Sequence, residues 1–279
     1  MNNFKAWLLM GLISGLFVLM GSFLGGRSGA LLFFLISLAI NFFSFYYSDK
    51  IAIKMTGSYP VERHEAPELY EMVERLCRKA DMPLPQLYIQ PTEQPNAFAT
   101  GRSPNHAAVA VTEGLLRGLS RDELEGVIAH ELAHIKNRDV LVGTIAASMA
   151  GAVTMIADML SFSAFFGSGD EDEDGGGSAI VMAFLAPIAA MIIQMAISRQ
   201  REYLADETGA RITGNPQGLA NALLRIEGLS MQAMPMAVNP AASHMYIANP
   251  LSGSSLANLF STHPPIPERV QRLTALRVG

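Results

Sequence analysis

Apolar positions along the chain fall into two kinds of pattern. In the first they run almost without interruption. Four such runs cover residues 4–24, 30–47, 140–166 and 178–197. Each is close to the ~20 apolar residues that a helix needs to cross the hydrocarbon core, so four transmembrane helices are predicted. In the second pattern apolar and polar positions alternate with a helix or strand period. "APELYEMVERLCRKA" (66–80) places Leu69, Met72, Val73 and Leu76 on one helical stripe, with Pro67 suited to the first turn. "QLYIQ" (86–90), "NAFATG" (96–101) and "HAAVAVTEGLL" (106–116) read as strands, the last running toward a helix. "GLSRDELEGVIAHELAHIKNR" (118–138) reads as a helix opened by the capping box Ser120-x-x-Glu123. Asp122 and Glu123 at its start, and Lys136 and Arg138 at its end, suit the helix dipole.

The resulting organisation is a hairpin (1–47), a polar stretch (48–139), a second hairpin (140–197) with an acidic loop at 167–177, and a final polar stretch (198–279). The expected fold class is an α+β integral membrane protein: four spans and a mostly helical domain carrying a small β-sheet. Lys5 precedes the first run as it would in a signal peptide. That run is too long for a signal h-region and lacks an A-x-A cleavage site, so a permanent span is expected.

Composition agrees with a membrane setting. Half of the 279 residues are hydrophobic, and 16% are charged, against about 25% in soluble domains. A net charge of −5 gives no electrostatic case for nucleic acid. The single Cys77 excludes an internal disulfide, fits a reducing compartment and is expected to be a small buried hydrophobe. The turn Gly25–Gly29 carries only Arg27, and "GSGDEDEDGGG" (167–177) has five acids and no Lys or Arg. The other nineteen of the twenty basic residues lie at the N-terminus, between runs two and three, or after run four. The positive-inside bias therefore puts the polar stretches in the cytoplasm. The acidic loop reads first as solvated chain, with divalent-ion capture as the alternative. Asp158 is expected near the outer interface, and Pro187 and Gln194 to mark a kink and an inter-helix hydrogen bond.

Candidate chemistry lies at "GVIAHELAHIKNRD" (126–139). His130 and His134 are four apart on a predicted helix and share a face, so they can offer two imidazoles to one metal ion. Glu131 is rotated by about 100° and stands beside them as a base rather than as a ligand. A catalytic zinc usually takes three protein ligands and keeps one open position. The candidate third ligand is Glu202, in "SRQREYLADETGAR" (198–211). Asp206, again four residues on, can accept a hydrogen bond from a ligating histidine and fix its tautomer. The competing reading is a charged surface helix in which Arg201 and Arg211 pair with these acids. Two spans between His134 and Glu202 would return the chain to the same side of a membrane. Helices continued straight would leave both residues within ~10 Å of its edge.

Weaker candidates follow. Asn96, Ala97 and Phe98 lie on a strand that can flank an extended substrate as a sheet edge; an ordinary hairpin is the competing reading. His263, in "STHPPIPERVQRL" (261–273), can donate to an oxyanion, or hold its loop by a structural bond. His64, His106 and His244 have no partner spacing and read as incidental. Loop 229–262 is rich in Met, Gly, Ser and Pro and reads as a lid or as plain surface packing.

In "NAFATG", "HELAHIKNRD", "REYLADETGA", "NPLSG" and "FSTHPPIPERVQRL", in this order and with four runs placed around them, the chain resembles the HtpX-type bacterial membrane zinc endopeptidases. They are grouped with the CAAX prenyl endopeptidases, which have more spans and to which the relation is more distant. The resemblance implies a zincin-like catalytic domain with one Zn²⁺ held by His130, His134 and Glu202. It implies Glu131 as the catalytic base, Asp206 in support of the metal, and His263 near the reacting carbonyl. It further implies a multi-pass protein of the bacterial inner membrane, its active site facing the cytoplasm. Its expected partners are the lipid bilayer and misfolded, damaged or unfolded membrane polypeptides, cleaved in quality control under stress. Two other functions stay open: processing of one lipidated or membrane partner, and a zinc-binding scaffold or sensor without turnover. Glu131 counts against the scaffold, because a structural site needs no base and is usually closed by four protein ligands.

Overall fold

The computed structural model describes residues 2–151, 153, 198–232, 242, 245–248 and 264–278. The elements are α1 (Asn2–Tyr46), α2 (Ser48–Thr56), β1 (Tyr59–Pro60), α3 (Pro67–Ala80), β2 (Gln86–Gln90), β3 (Ala97–Ser103), β4 (His106–Thr112), α4 (Glu113–Gly118) and α5 (Arg121–Lys136). They continue with α6 (Val140–Gly151), α7 (Arg199–Thr213), α8 (Pro216–Ser230) and α9 (Ile266–Ala275).

Two arms make up α1, because the backbone leaves helical geometry at Gly25 (φ −147°) and Gly26 (φ 58°). The positive φ at Gly26 suits glycine, and it lies in the turn expected from the apolar pattern. The arms then lie side by side. Phe17 meets Phe33 with ring centroids 6.2 Å apart, Trp7 stacks on Phe45, and Asn41 Nδ2 donates to Ser14 Oγ at 2.8 Å. A Cβ on Gly21 or on Gly29 would collide with the backbone of the other arm. Leu9, Met10 and Ile13 of the first arm pack against Leu141, Ile145 and Met149 of α6.

Gly25–Tyr46, with 22 residues, is long and apolar enough to cross a membrane. Ala6–Ser22 and α6 are apolar but shorter. So one clear spanning helix stands among the described residues where four were expected. The run at 178–197, the rest of the run at 140–166, the acidic loop, Asp158, Pro187 and Gln194 lie outside those residues.

Local signals built the remaining elements. Pro67 opens α3, which buries Leu69, Met72, Val73, Leu76, Cys77 and Ala80. Its end is turned by Asp81 in the left-handed region. The capping box opens α5, with the Ser120 backbone N–H donating to Glu123 Oε2 at 2.7 Å. Between these helices lies a mixed sheet in the order β1-β2-β4-β3. β2 runs parallel to β4, with Leu87 opposite Val109. β3 runs antiparallel to it, with Ala99 opposite Val109. Alternation along β4 is strict. Ala107, Val109 and Val111 face the main core with Val127, Ile128 and Leu132 of α5. Ala108 and Ala110 face the other way, onto Ile53 of α2, Phe98 and Tyr246. β3 is therefore an edge strand lying next to α5.

Candidate metal centre

Helix α5 is pinned between neighbours at two glycines. A Cβ on Gly126 would come within 2.6 Å of the Leu219 backbone nitrogen in α8. A Cβ on Gly209 of α7 would come within 2.9 Å of the His130 backbone nitrogen. Glycine at these points lets the helices cross at backbone contact, and the crossing of α5 with α7 faces His130 and His134 toward Glu202 and Asp206.

His130 Nε2 and His134 Nε2 are 3.1 Å apart. Glu202 lies 3.7 Å from each, through Oε2 to His130 and Oε1 to His134. Two imidazole nitrogens and one carboxylate oxygen thus fall within 4.8 Å of one another. Ligand atoms at about 2.1 Å from a tetrahedral zinc stand roughly 3.4 Å apart, so the observed separations bracket what one such ion needs. The charges point the same way. Among the described residues, four acidic side chains (Glu131, Asp139, Glu202, Asp206) outnumber the two guanidinium groups (Arg201, Arg269) around this site, a balance that suits a cation.

Both histidines are held from behind. His130 Nδ1 lies 3.0 Å from Asp206 Oδ1, and His134 Nδ1 lies 3.1 and 3.2 Å from the two oxygens of Asp139. Each Nδ1–H donates to a carboxylate, which leaves the Nε2 lone pair for a metal. Asp206 is held in turn by Arg269, itself closed to solvent. Nη2 donates to Oδ1 at 2.7 Å and Nε to Oδ2 at 2.9 Å. Burial alone would raise the Asp206 carboxyl. The guanidinium and the His130 bond outweigh it and hold the group well below the usual carboxylate range.

Glu131 is 2% exposed and accepts a hydrogen bond from the Ala99 backbone N–H on the outer edge of β3. Burial pushes its carboxyl up, and His134 pulls it down. The balance is about 7, the range that suits a general base at neutral pH.

Two residues of this centre were not singled out from sequence. Asp139 stands at the end of "HELAHIKNRD" and comes into view once the second nitrogen of His134 is asked for a partner. Arg269 left a signal too: it sits one helical turn before the buried Leu273 on α9, a charge within an apolar stripe. The surface-helix reading of α7 holds only for its outer face, where Arg211 pairs with Glu207 at 2.9 Å. Arg201 turns inward, toward Asp139 and Glu202.

Asn96, Ala97 and Phe98, expected to flank an extended substrate as a sheet edge, are all buried. Asn96 Nδ2 donates to the Ala248 carbonyl at 2.8 Å, and its Oδ1 accepts from the Ala248 N–H at 3.2 Å. The Ala97 carbonyl accepts from the Ile247 N–H at 2.9 Å, and Phe98 packs edge-on against Tyr246. A buried amide must satisfy its own hydrogen bonds, and this one does so by clamping residues 246–248 to the start of β3. His263 and most of loop 229–262 lie outside the described residues. His64 is exposed beside Glu62, and His106 meets Ser103 in the β3–β4 turn.

Comparison with known proteins agrees with this geometry. Residues 63–277 match peptidase family M48. The chain is 64% identical over 282 residues to the protease HtpX homolog of Pelotomaculum thermopropionicum, covering all of both chains. It is 53% identical over 271 residues to the protease HtpX homolog of Pyrococcus furiosus, covering 96% of this chain and 94% of that one. Among solved structures it is similar to Ste24p of S. mikatae, with a TM-score of 0.50 and 20% identity, over 96% of this chain and 66% of that one. At that identity the likeness speaks for the fold alone. Two histidines on one helix face with Glu131 beside them, a carboxylate delivered to them by a second helix, and the match over residues 63–277 have one reading: the chain belongs to peptidase family M48 and is a metalloprotease.

Proposed function

We propose that the chain is a membrane-embedded zinc endopeptidase that cleaves misfolded or damaged membrane proteins on the cytoplasmic side. The observation that carries this reading is the joining of His130, His134 and Glu202 at one point with Glu131 beside them, the second of the two histidines six residues before the apolar helix α6. Zinc, when bound there, supplies a Lewis acid that polarises the scissile carbonyl and makes water acidic. The chain's own residues do the rest. Glu131, held by the Ala99 N–H, accepts the proton of the attacking water and hands it to the leaving amine. Asp206 and Asp139 keep both imidazoles in the tautomer that offers Nε2. Arg269 neutralises Asp206 so that the pair can stay buried. His263 is proposed as a donor to the oxyanion. The outer edge of β3 at Ala99 lies beside Glu131 and is the place where an extended peptide would run.

The membrane part of the reading rests on α1. Trp7, Leu31, Leu32, Phe42 and Phe43 are all more than half exposed on the hairpin, an apolar surface that a bilayer would cover. Leu141 joins α6 to that hairpin only two residues after Asp139. A multi-pass inner-membrane topology, with spans at 4–24, 30–47, 140–166 and 178–197 and the polar stretches in the cytoplasm, follows from the apolar runs and the Lys and Arg distribution.

The test uses full-length protein stripped of metal by a chelator and supplied with stoichiometric zinc, beside an untreated stripped sample. An unfolded membrane-protein substrate should fragment on a gel only after zinc returns. Equal cleavage without metal, or none after zinc binds, would contradict the proposal. Equal cleavage of a soluble and a membrane substrate would sink the membrane-client part alone.

A further inference from the structure

We propose that the cleft between the end of β3 and the start of α6 binds a phosphate group, supplied by the headgroup of an anionic phospholipid. The proposal rests on the reading that α1 sits in a bilayer. The cleft has a volume of about 120 Å³, and Arg102, Ser103, Arg138, Ile135, Val140 and Leu141 are among the residues that line it. The lining carries two guanidinium groups and a hydroxyl, and among the described residues none of it is acidic. The rest of the lining is apolar or glycine. Leu141 belongs to the cluster that packs against Leu9 and Ile13 of the hairpin, whereas Ile135 belongs to the catalytic core. So the cleft lies where the two bodies of packing meet, and its lining joins arginines to apolar side chains continuous with the hairpin cluster. That combination matches a lipid, with phosphate on the arginines and acyl chain along the helix face.

Its depth matches as well. Arg102 donates from Nη1 to the Tyr46 carbonyl at 2.8 Å, and its guanidinium lies 5.4 Å from the centre of the Tyr46 ring. Tyr46 ends the long apolar arm, Tyr47 follows it, and Trp7 stacks on Phe45 at the same end. Tyr and Trp gather at the level of lipid headgroups, so Arg102 stands at that level. The Tyr46 carbonyl takes one of the five N–H donors that a guanidinium carries. Arg138 is exposed and has a φ of 56°, so an arginine occupies a turn where the backbone favours glycine or asparagine. Arginine forks fit phosphate oxygens in a way that a lysine does not.

Free inorganic phosphate would offer the same oxygens, and the test separates the two sources. Full-length protein in neutral detergent is titrated with short-chain phosphatidylglycerol, with short-chain phosphatidylcholine and with inorganic phosphate, and the unfolding temperature reports binding. Phosphatidylglycerol should stabilise the wild type, and its affinity should fall about tenfold in Arg138→Gln and again in Arg102→Gln, one charge-assisted contact each. Phosphatidylcholine should stay weaker throughout. If inorganic phosphate binds as tightly and shows the same losses, the cleft is a phosphate site fed from solution, and the lipid assignment is overturned. If neither anion binds, or if both variants bind as the wild type does, the whole proposal is overturned. Because Arg102→Gln also removes a contact to Tyr46, Arg138→Gln decides the matter should the former unfold. Flotation of the wild type with phosphatidylcholine vesicles checks the membrane reading separately: failure to float sinks that reading, whatever the titrations give.

Discussion

Arg269 grips both carboxylate oxygens of Asp206, at 2.7 and 2.9 Å, from a position that solvent does not reach. Asp206 passes that grip on to His130 Nδ1 at 3.0 Å. A residue 63 positions from Asp206 in the chain thus orients a metal ligand on a third helix. Arg269→Met should leave Asp206 buried without its counter-charge, at a cost of about 3–5 kcal/mol. Arg269→Lys restores the charge but not the fork, and should recover only part of the loss. Thermal unfolding with zinc present checks both. Equal stability of the wild type and Arg269→Met would refute the coupling.

Asp139 does for His134 what Asp206 does for His130. Asp139→Ala removes the acceptor and leaves the ring free to turn, so zinc affinity should fall about 10- to 100-fold while the helices keep their packing. Competition with a chromogenic zinc chelator measures this, and circular dichroism checks the fold. An unchanged affinity would mean that the contact does not orient the ligand.

Gly209 sets the distance between α7 and α5. Its Cβ would stand 2.9 Å from the His130 backbone nitrogen, and that neighbour is backbone, which cannot swing aside. Gly209→Ala should therefore cost about 1–3 kcal/mol and push Glu202 away from the histidines. The expected outcome is a lower melting temperature together with weaker zinc binding. A variant with intact stability and zinc affinity would show that the crossing has slack.

The Cys77 thiol is buried on α3, and burial, with Glu74 adding to it, pushes it up from 9.0 to about 11. A raised thiol pKa keeps the neutral form below that value, and only the thiolate attacks alkylating agents. Such a rise makes the thiolate about 100-fold scarcer at pH 8 than in an open thiol. Iodoacetamide at pH 8 should leave the native protein unlabelled and label it fully in denaturant. Because the unfolded thiol ionises first, this group withdraws stability as pH rises from 9 toward 11 and none below. Rapid labelling of native protein at pH 8 would contradict the buried placement.

Much of the centre was legible because its signals are local. Ser120 and Glu123 cap α5 within one turn, and Pro67 does the same for α3. Helical spacing alone puts His130 with His134, and Glu202 with Asp206, on common faces. What stayed hidden depends on distance or on an unusual backbone. Asp139 reaches His134 across a turn in which Arg138 takes a positive φ, which no propensity foretells for arginine. Asn96 looked free for a substrate because its partner, Ala248, lies 152 positions away. The apolar runs were plain to read, but a run of apolar residues does not distinguish a span from a buried helix. Of the run at 140–166, the described stretch Val140–Gly151 is apolar and packs on the hairpin.

Glu131 separates a peptidase from a metal-binding scaffold, because its carboxylate lies beside the ligands and is not one of the three grouped for the metal. The direct measurement compares full-length wild type and Glu131→Gln for zinc content and for cleavage of an unfolded membrane-protein substrate. The account predicts one zinc per chain in both proteins and a cleavage rate at least about 100-fold lower in the variant. Equal zinc and equal cleavage would remove Glu131 as the base, and zinc without cleavage in either protein would move the scaffold reading to the front.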